Sequence, residues 1–187
     1  MIRRQLLPAV LMLATMTVIT GFAYPLVVTG FAQALWPAQA DGSIVYHADR
    51  SVGSLLIGQS FGEDKFFHAR PSAAGYDPTS SGGSNMGPTN HDLAALFSER
   101  AATYRSGNGL APDAPVPVDA ITASGSGLDP DISIANARLQ ADRVADARGM
   151  DIADIEGLID DLARPRSWVS EPRVNVLELN IALEEMP

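Results

Sequence analysis

Residues 6–36 read LLPAVLMLATMTVITGFAYPLVVTGFAQALW, and no charged side chain interrupts the chain between Arg4 and Asp41. A helix over this stretch is about 46 Å long at ~1.5 Å per residue. A hydrocarbon core of about 30 Å needs only about 20 residues, so the stretch can cross a bilayer once, with a surplus that tilts or rises above the surface. Pro8 falls in the first turn of a helix begun at Leu6, where its missing N–H costs nothing. Pro25 is expected to kink the helix or end its regular part. Tyr24 and Trp36 suit the outer headgroup level. The rival reading is a cleaved signal peptide, since Arg3 and Arg4 give a basic start and Ala38-Gln39-Ala40 matches a small-x-small cleavage pattern. Such peptides carry an apolar region of about 7–15 residues, far shorter than this one, and a retained anchor is the better reading.

The flanks set the orientation. Arg3 and Arg4 are the positive side and are expected to stay in the cytoplasm. The expected organisation is a cytoplasmic N-terminus (1–5), a transmembrane anchor helix (6–36) and one small extracytoplasmic α/β domain (41–187). The 187 residues hold 13 Lys+Arg against 22 Asp+Glu. Without the two N-terminal arginines the balance is 11 against 22, or −11. Such a field repels nucleic acid and anionic lipid heads and concentrates cations, although acidity also serves plain solubility. There is no cysteine, which excludes disulfides, thiolate nucleophiles and Cys-based metal sites.

Beyond Asp41, GSLLIGQSF (53–61) alternates Leu55, Ile57 and Gln59 as a short strand would, between Gly53 and Gly62. The following stretch to Asn90 is crowded with Pro, Gly and Ser. It also carries Phe66, Phe67, Tyr76 and Met86, which points to a compact ordered loop rather than a free linker. Thr89 or Asn90 caps a helix whose stripe Leu93, Leu96, Phe97, Arg100 and Tyr104 is expected to be buried, with Gly107 ending it in the left-handed conformation. After a Pro-rich connector, VDAITASGSG (118–127) reads as a second strand entering a Gly-Ser turn. Ser133 caps a helix over 134–148 closed by Gly149, with Ile134, Ala137, Ala141 and Val144 on its apolar face. Asp151 opens another, with Ile152, Ile155, Ile159 and Leu162 on one side, stopped before Pro165. In NVLELNIALEE, Asn175 and Glu178 have capping-box spacing, so a short helix is expected, while the Val174/Val176 alternation leaves a strand open.

The chemistry is sparse. His47, His68 and His91 are far apart in sequence and form no helical pair, so surface or loop positions are expected rather than a metal site. Ser124 and Ser126 lack the flanking glycines of a nucleophile elbow and have no neighbouring His. Asp129 with Asp131, and Asp160 with Asp161, read as solvated acidic pairs. SSGGSNMGPTN (80–90) looks like a phosphate cradle but lacks the Lys-Ser/Thr of a Walker loop, and its placement outside the membrane separates it from ATP.

GSLLIGQSF, FFHARPSA, SGGSNMGPTN, TASGSGLDPDIS and EPRVNVLELNIAL occur in an order that resembles the KdpC family, a component of the bacterial Kdp potassium-transporting ATPase, from the anchor to the last helix. The resemblance implies one transmembrane helix in the bacterial inner membrane and an extracytoplasmic domain. It implies assembly with a potassium-binding channel-like subunit, a P-type ATPase subunit and a small helical subunit, and no nucleic-acid partner. It also implies the role described for the family, a catalytic chaperone that raises the ATP affinity of the pump subunit. With the domain outside, that effect would have to pass through the membrane part. The chain itself is expected to be non-catalytic and to hold no cofactor, with ATP and potassium handled by the complex. A free-standing membrane-anchored enzyme or solute-binding domain is the alternative from another class, and direct nucleotide binding a third. Candidate partner-docking residues are Ser81, Gly82, Gly83, Ser84 and Asn85 with Ser124, Gly125, Ser126 and Gly127. Their glycines either let a partner backbone approach or shape turns within the domain. Thr17, Gly21, Gly30 and Ala34 are candidates for close helix packing in the membrane.

Overall fold

The computed structural model of the chain describes residues 2–165, 168 and 170–186. They fall into two compact units, Met1–Ile44 and Val45–Pro187. In the first, α1 (Ile2–Val18) leads through a π-helical turn (Ile19–Ala23) into α2 (Tyr24–Leu35), followed by the short α3 (Pro37–Ala40). The regular α pattern does break ahead of Pro25, but the helix continues beyond it. Pro25 has no N–H for the Gly21 carbonyl and its ring crowds that oxygen; a widened turn, in which the Tyr24 N–H reaches the Ile19 carbonyl, relieves the conflict. Pro8 is interior rather than first-turn, because the helix already begins at Ile2. The 32 residues Arg4–Leu35 are long and apolar enough to cross a membrane, and the rest of the chain covers none of their most apolar window.

The second unit mixes helices with two small sheets. β1 (Ile44–His47) and β2 (Arg50–Ser54) pair around Ala48 and Asp49, whose φ values of 48° and 61° are the positive pair that a tight hairpin turn uses. The strand expected over 53–61 is therefore displaced toward the N-terminus. Polar groups fold the chain away after Ser54: its hydroxyl accepts the Leu56 N–H, and the Gln59 amide turns back onto the Val52 carbonyl. The second expected strand is also absent. Residues 118–121 form a helical turn, α5 (Val118–Ile121), started by Pro117 and held because the Asp119 carboxylate accepts the Ser133 N–H, the Ser133 hydroxyl and the Asn136 amide. The second sheet is instead β3 (Asp131–Ser133) antiparallel to β4 (Arg173–Asn175), with Ile132 opposite Val174.

Four side-chain caps start the four longer helices of this unit. Asn90 accepts the Asp92 N–H for α4 (His91–Gly107), and Ser133 that of Asn136 for α6 (Ile134–Arg148). Asp151 accepts the Ala153 N–H for α7 (Ile152–Leu162), and Asn175 that of Glu178 for α8 (Val176–Glu185). Each such cap contributes about 1 kcal/mol. Residues 173–176 are thus strand first and helix next. Gly149 closes α6 at φ 66° as expected, but α4 runs through Gly107, and Gly109 rather than Gly107 takes the positive φ, 64°.

The core lies between α6, α7, α8 and the β3–β4 pair. Ala137, Ala141, Val144, Ile155, Ile159, Val174, Leu179 and Leu183 are buried there, together with Phe67 from the long loop. Phe67 is fully covered although it belongs to no regular element. Its N–H donates to Asn180 Oδ1 (2.8 Å) and its carbonyl accepts from Asn180 Nδ2 (3.0 Å). His68 is held in the same way by Gln140, through Oε1 at 2.7 Å and Nε2 at 3.2 Å. Asn180→Leu keeps the volume but strands both Phe67 backbone groups in the core, so a loss of about 2–4 kcal/mol is expected. Urea unfolding of the full chain in mild detergent measures it; an unchanged midpoint would contradict the role given to this amide.

Candidate docking surface of paired glycine-serine loops

The two Gly-Ser segments, 81–85 and 124–127, lie against each other. The Gly82 N–H donates to the Ser126 carbonyl at 2.8 Å, and the Ser81 hydroxyl reaches the same oxygen at 3.0 Å. Gly127 turns the second loop at φ 69°, and its carbonyl accepts the Ser72 hydroxyl at 2.6 Å. A Cβ on Gly127 would stand 2.7 Å from the Gly82 carbonyl oxygen and 2.9 Å from Ala74 Cβ. On Gly83 it would stand 3.2 Å from the Gly125 carbonyl oxygen, with no positive φ involved. These two glycines serve a contact inside the domain. A Cβ on Gly82 or Gly125 would meet nothing within 4 Å. Ser84, Asn85 and Gly125 are exposed, as is Met86 (39 % of its surface), so the outer rim of the loop pair is free among the described residues.

Ser124 is buried and Ser126 exposed, with their hydroxyls 3.4 Å apart; the Ser126 hydroxyl also accepts the Leu128 N–H. Both are turn-forming groups in this arrangement. Below them Arg70 and Asp129 form a 2.7 Å ion pair, and the Gly58 N–H donates to the Leu128 carbonyl at 2.8 Å. In the apolar helix Thr17, Gly21, Gly30 and Ala34 are all exposed, and Gly21 lies inside the π-helical turn.

A cleft of about 460 Å³ lies beside α4 and is lined by residues that include His68, Leu96, Arg100, Tyr104, Gln140 and Arg143. The stripe of α4 expected to be buried is only half-buried, and its Leu96, Arg100 and Tyr104 line this cleft. Tyr104 donates to Asn136 Oδ1 at 2.8 Å. Burial, and then the nearby Asp119 carboxylate, push its hydroxyl pKa far up, against a smaller opposing effect of Arg143. His68 Nε2 faces the Glu63 carbonyl at 3.2 Å. Burial, and secondarily the Arg143 guanidinium, hold its pKa below the usual imidazole value despite that carbonyl. His47 stands 3.7 Å from Glu185, and His91 opens α4. No group of three or more His, Asp or Glu able to hold a metal ion occurs among the described residues.

Comparison with known proteins decides the family. The family described as KdpC, the K+-transporting ATPase c chain, matches residues 6–185. The chain belongs to the KdpC family. It is 52 % identical over 188 residues to a potassium-transporting ATPase KdpC subunit of Mycobacterium tuberculosis, covering 98 % of this chain and 100 % of that one. It is 53 % identical over 185 residues to the KdpC subunit of Caulobacter vibrioides, at 96 % and 92 % coverage. A relative from Beijerinckia indica is 48 % identical over 181 residues, at 95 % and 91 %. The chain is thus a subunit of a potassium-transporting ATPase, which places it in a complex with other Kdp subunits, and its apolar helix associates it with the membrane.

Two outcomes follow from this geometry. Gly127→Ala combines a strained φ with a backbone overlap, and is expected to cost more than 2 kcal/mol, since the left-handed conformation alone costs an Ala about 1–2 kcal/mol. Gly125→Ala should lie within ~0.5 kcal/mol of wild type, with Gly83→Ala between the two; thermal unfolding of the three variants checks the order. A His68 pKa lowered in the fold means that the native state binds fewer protons than the unfolded chain. The stability it contributes is complete above about pH 6.5 and is lost as pH falls through the lower folded value. His68→Gln should flatten that part of the stability–pH profile; an unchanged slope would assign it to another group.

Proposed function

We propose that this chain is the accessory, non-catalytic subunit of the pump, anchored once in the bacterial inner membrane with residues 41–187 on the outer side. The carrying observation is the uncovered apolar helix with opposite charge at its two ends: Arg3 and Arg4 stand at its start, and Asp41 and an acidic remainder follow it. Basic flanks stay in the cytoplasm. The outer domain docks on the channel-like, potassium-binding subunit and stabilises its assembly with the P-type ATPase subunit and the small helical subunit. The docking face is the exposed rim Ser84, Asn85 and Gly125, carried on the loop contact that Gly83 and Gly127 make possible. Of the remaining candidates, the exposed Ser81 and Ser126 and the half-buried Gly82 join the two loops through the Ser126 carbonyl, and the buried Ser124 lies beneath the rim. Potassium and ATP are handled by the partners, and any effect on ATP affinity reaches the pump subunit through the membrane helices rather than by contact with nucleotide. Packing at Thr17, Gly21, Gly30 and Ala34 gives the anchor its place among those helices.

The cysteine-free chain makes the topology directly measurable. Single cysteines at Ser43 and Ser84 should react with a membrane-impermeant reagent in intact spheroplasts. Reaction only after the membrane is broken would reverse the orientation and revive a nucleotide role for the loop. Docking is tested at Ser84, whose substitution leaves the internal loop contact in place. Ser84→Arg should keep the thermal stability of the isolated chain and lower the yield of assembled complex, with ATP affinity of the recovered complex unchanged. A normal yield with a raised ATP requirement would favour the nucleotide reading.

A further inference from the structure

The exposed face of β1 is apolar where a two-stranded sheet open to water should be polar. Ile44 and Tyr46 project from the same side of the strand and are 43 % and 69 % exposed, while Val45 and His47 between them are half-buried. Leu56, two residues beyond β2, is 62 % exposed. This surface is tethered to the membrane helix. The helix Arg4–Leu35 has 32 residues, or about 48 Å at 1.5 Å per residue, close to the 40–45 Å of a bilayer with its headgroups. Leu35 therefore ends near the headgroup region. The Asp41 carboxylate accepts the Gln33 amide at 2.7 Å, which holds Asp41 beside the last turn of that helix, and five peptide links separate Asp41 from Tyr46, a reach of no more than about 18 Å. The hairpin also carries no net charge for an anionic surface to repel, since 44–54 contain one Asp, Asp49, and one Arg, Arg50.

We propose that the β1–β2 hairpin is a lipid-contacting element, with Tyr46 and Ile44 lying in the headgroup–acyl boundary of the leaflet in which the helix ends. Tyrosine suits that depth, its ring entering the apolar zone while its hydroxyl stays hydrated. The contact adds a second attachment beside the helix and limits how far the domain swings from the bilayer. The inference rests on the helix spanning the membrane, and the experiment keeps the two apart. Nitroxide labels are placed on single cysteines at Val18, Tyr46 and Asp113 of the full chain, in vesicles of phosphatidylethanolamine and phosphatidylglycerol. Accessibility to oxygen and to a water-soluble nickel chelate is then compared.

At Val18 oxygen should dominate; if it does not, the spanning reading fails. At Tyr46 the oxygen-to-nickel ratio should exceed that at Asp113, an exposed loop position, by several-fold in the chain alone. A ratio at Tyr46 equal to that at Asp113 overturns the proposal while leaving the spanning helix intact. Shielding that appears only when the other Kdp subunits are added overturns it as well, because the face then belongs to a protein partner. A cysteine at Ile44 provides a second label on the same face and should repeat the Tyr46 result.

Discussion

The fold depends on a stretch of backbone with no partner strand. Residues 64–68 run along the core without helix or ladder, and Phe67 is inserted among its helices. Buried backbone must be hydrogen-bonded, and here side chains do it. Arg148 Nε takes the Lys65 carbonyl, Arg143 takes those of Asp64 and Phe66, Asn180 takes both groups of Phe67, and Gln140 both groups of His68. Two amides and two guanidiniums on α6 and α8 thereby replace the neighbouring strand. Such a side-chain ladder is specific because each amide fits in one orientation, with its oxygen toward N–H and its nitrogen toward C=O. It fixes the register of the loop, and the loop carries Arg70, Ser72 and the Gly-Ser segment to their places.

The same geometry explains which parts of the structure were legible in the sequence. The starts of α4, α6, α7 and α8 follow from local chemistry: Asn90, Ser133, Asp151 and Asn175 cap within three residues of themselves, and that spacing is visible without a fold. The long apolar helix is legible for the same reason, since apolar length needs no tertiary context. The strands are not. Leu55 and Ile57 alternate like a strand, but the Asn175 amide claims the Leu55 carbonyl from a distant part of the chain. VDAITASGSG has strand composition, but Asp119 is recruited by Ser133 and Asn136. The hairpin turn at Ala48-Asp49 lacks the Asn-Gly pair that advertises positive φ. The amide ladder left one signal in the sequence, Asn136 and Gln140 four residues apart beside Ala137 and Ala141 on the same face of α6. Polar side chains on a buried face need partners, and here Gln140 takes the His68 backbone while Asn136 takes Asp119 and Tyr104.

The candidate site was legible as two glycine-serine segments, but not as a unit. Composition shows where backbone is bare; it does not show what approaches it. In the fold each segment is the first thing the other meets, so part of the glycine content serves the interior of the domain, at Gly83 and Gly127. That divides the site into a supporting layer and a rim. In the docking proposed for this rim, the hydrogen bonds that already join the two loops leave it less conformational freedom to lose, and less of the contact energy is consumed in ordering it.

The polar chemistry of the domain is committed in the same way. Arg143 directs its donors to Asn108, Gln140 and two loop carbonyls, and Arg148 to two carbonyls and Glu184. Ser133 and Asn136 are bound to Asp119, and Tyr104 to Asn136. A general base or an oxyanion donor needs a free, positioned group at its reacting face, whereas these groups are occupied in holding loops still. The capped helices, Arg143 and Arg148 therefore spend their polar groups on one task, holding the irregular segments between the helices in a single arrangement.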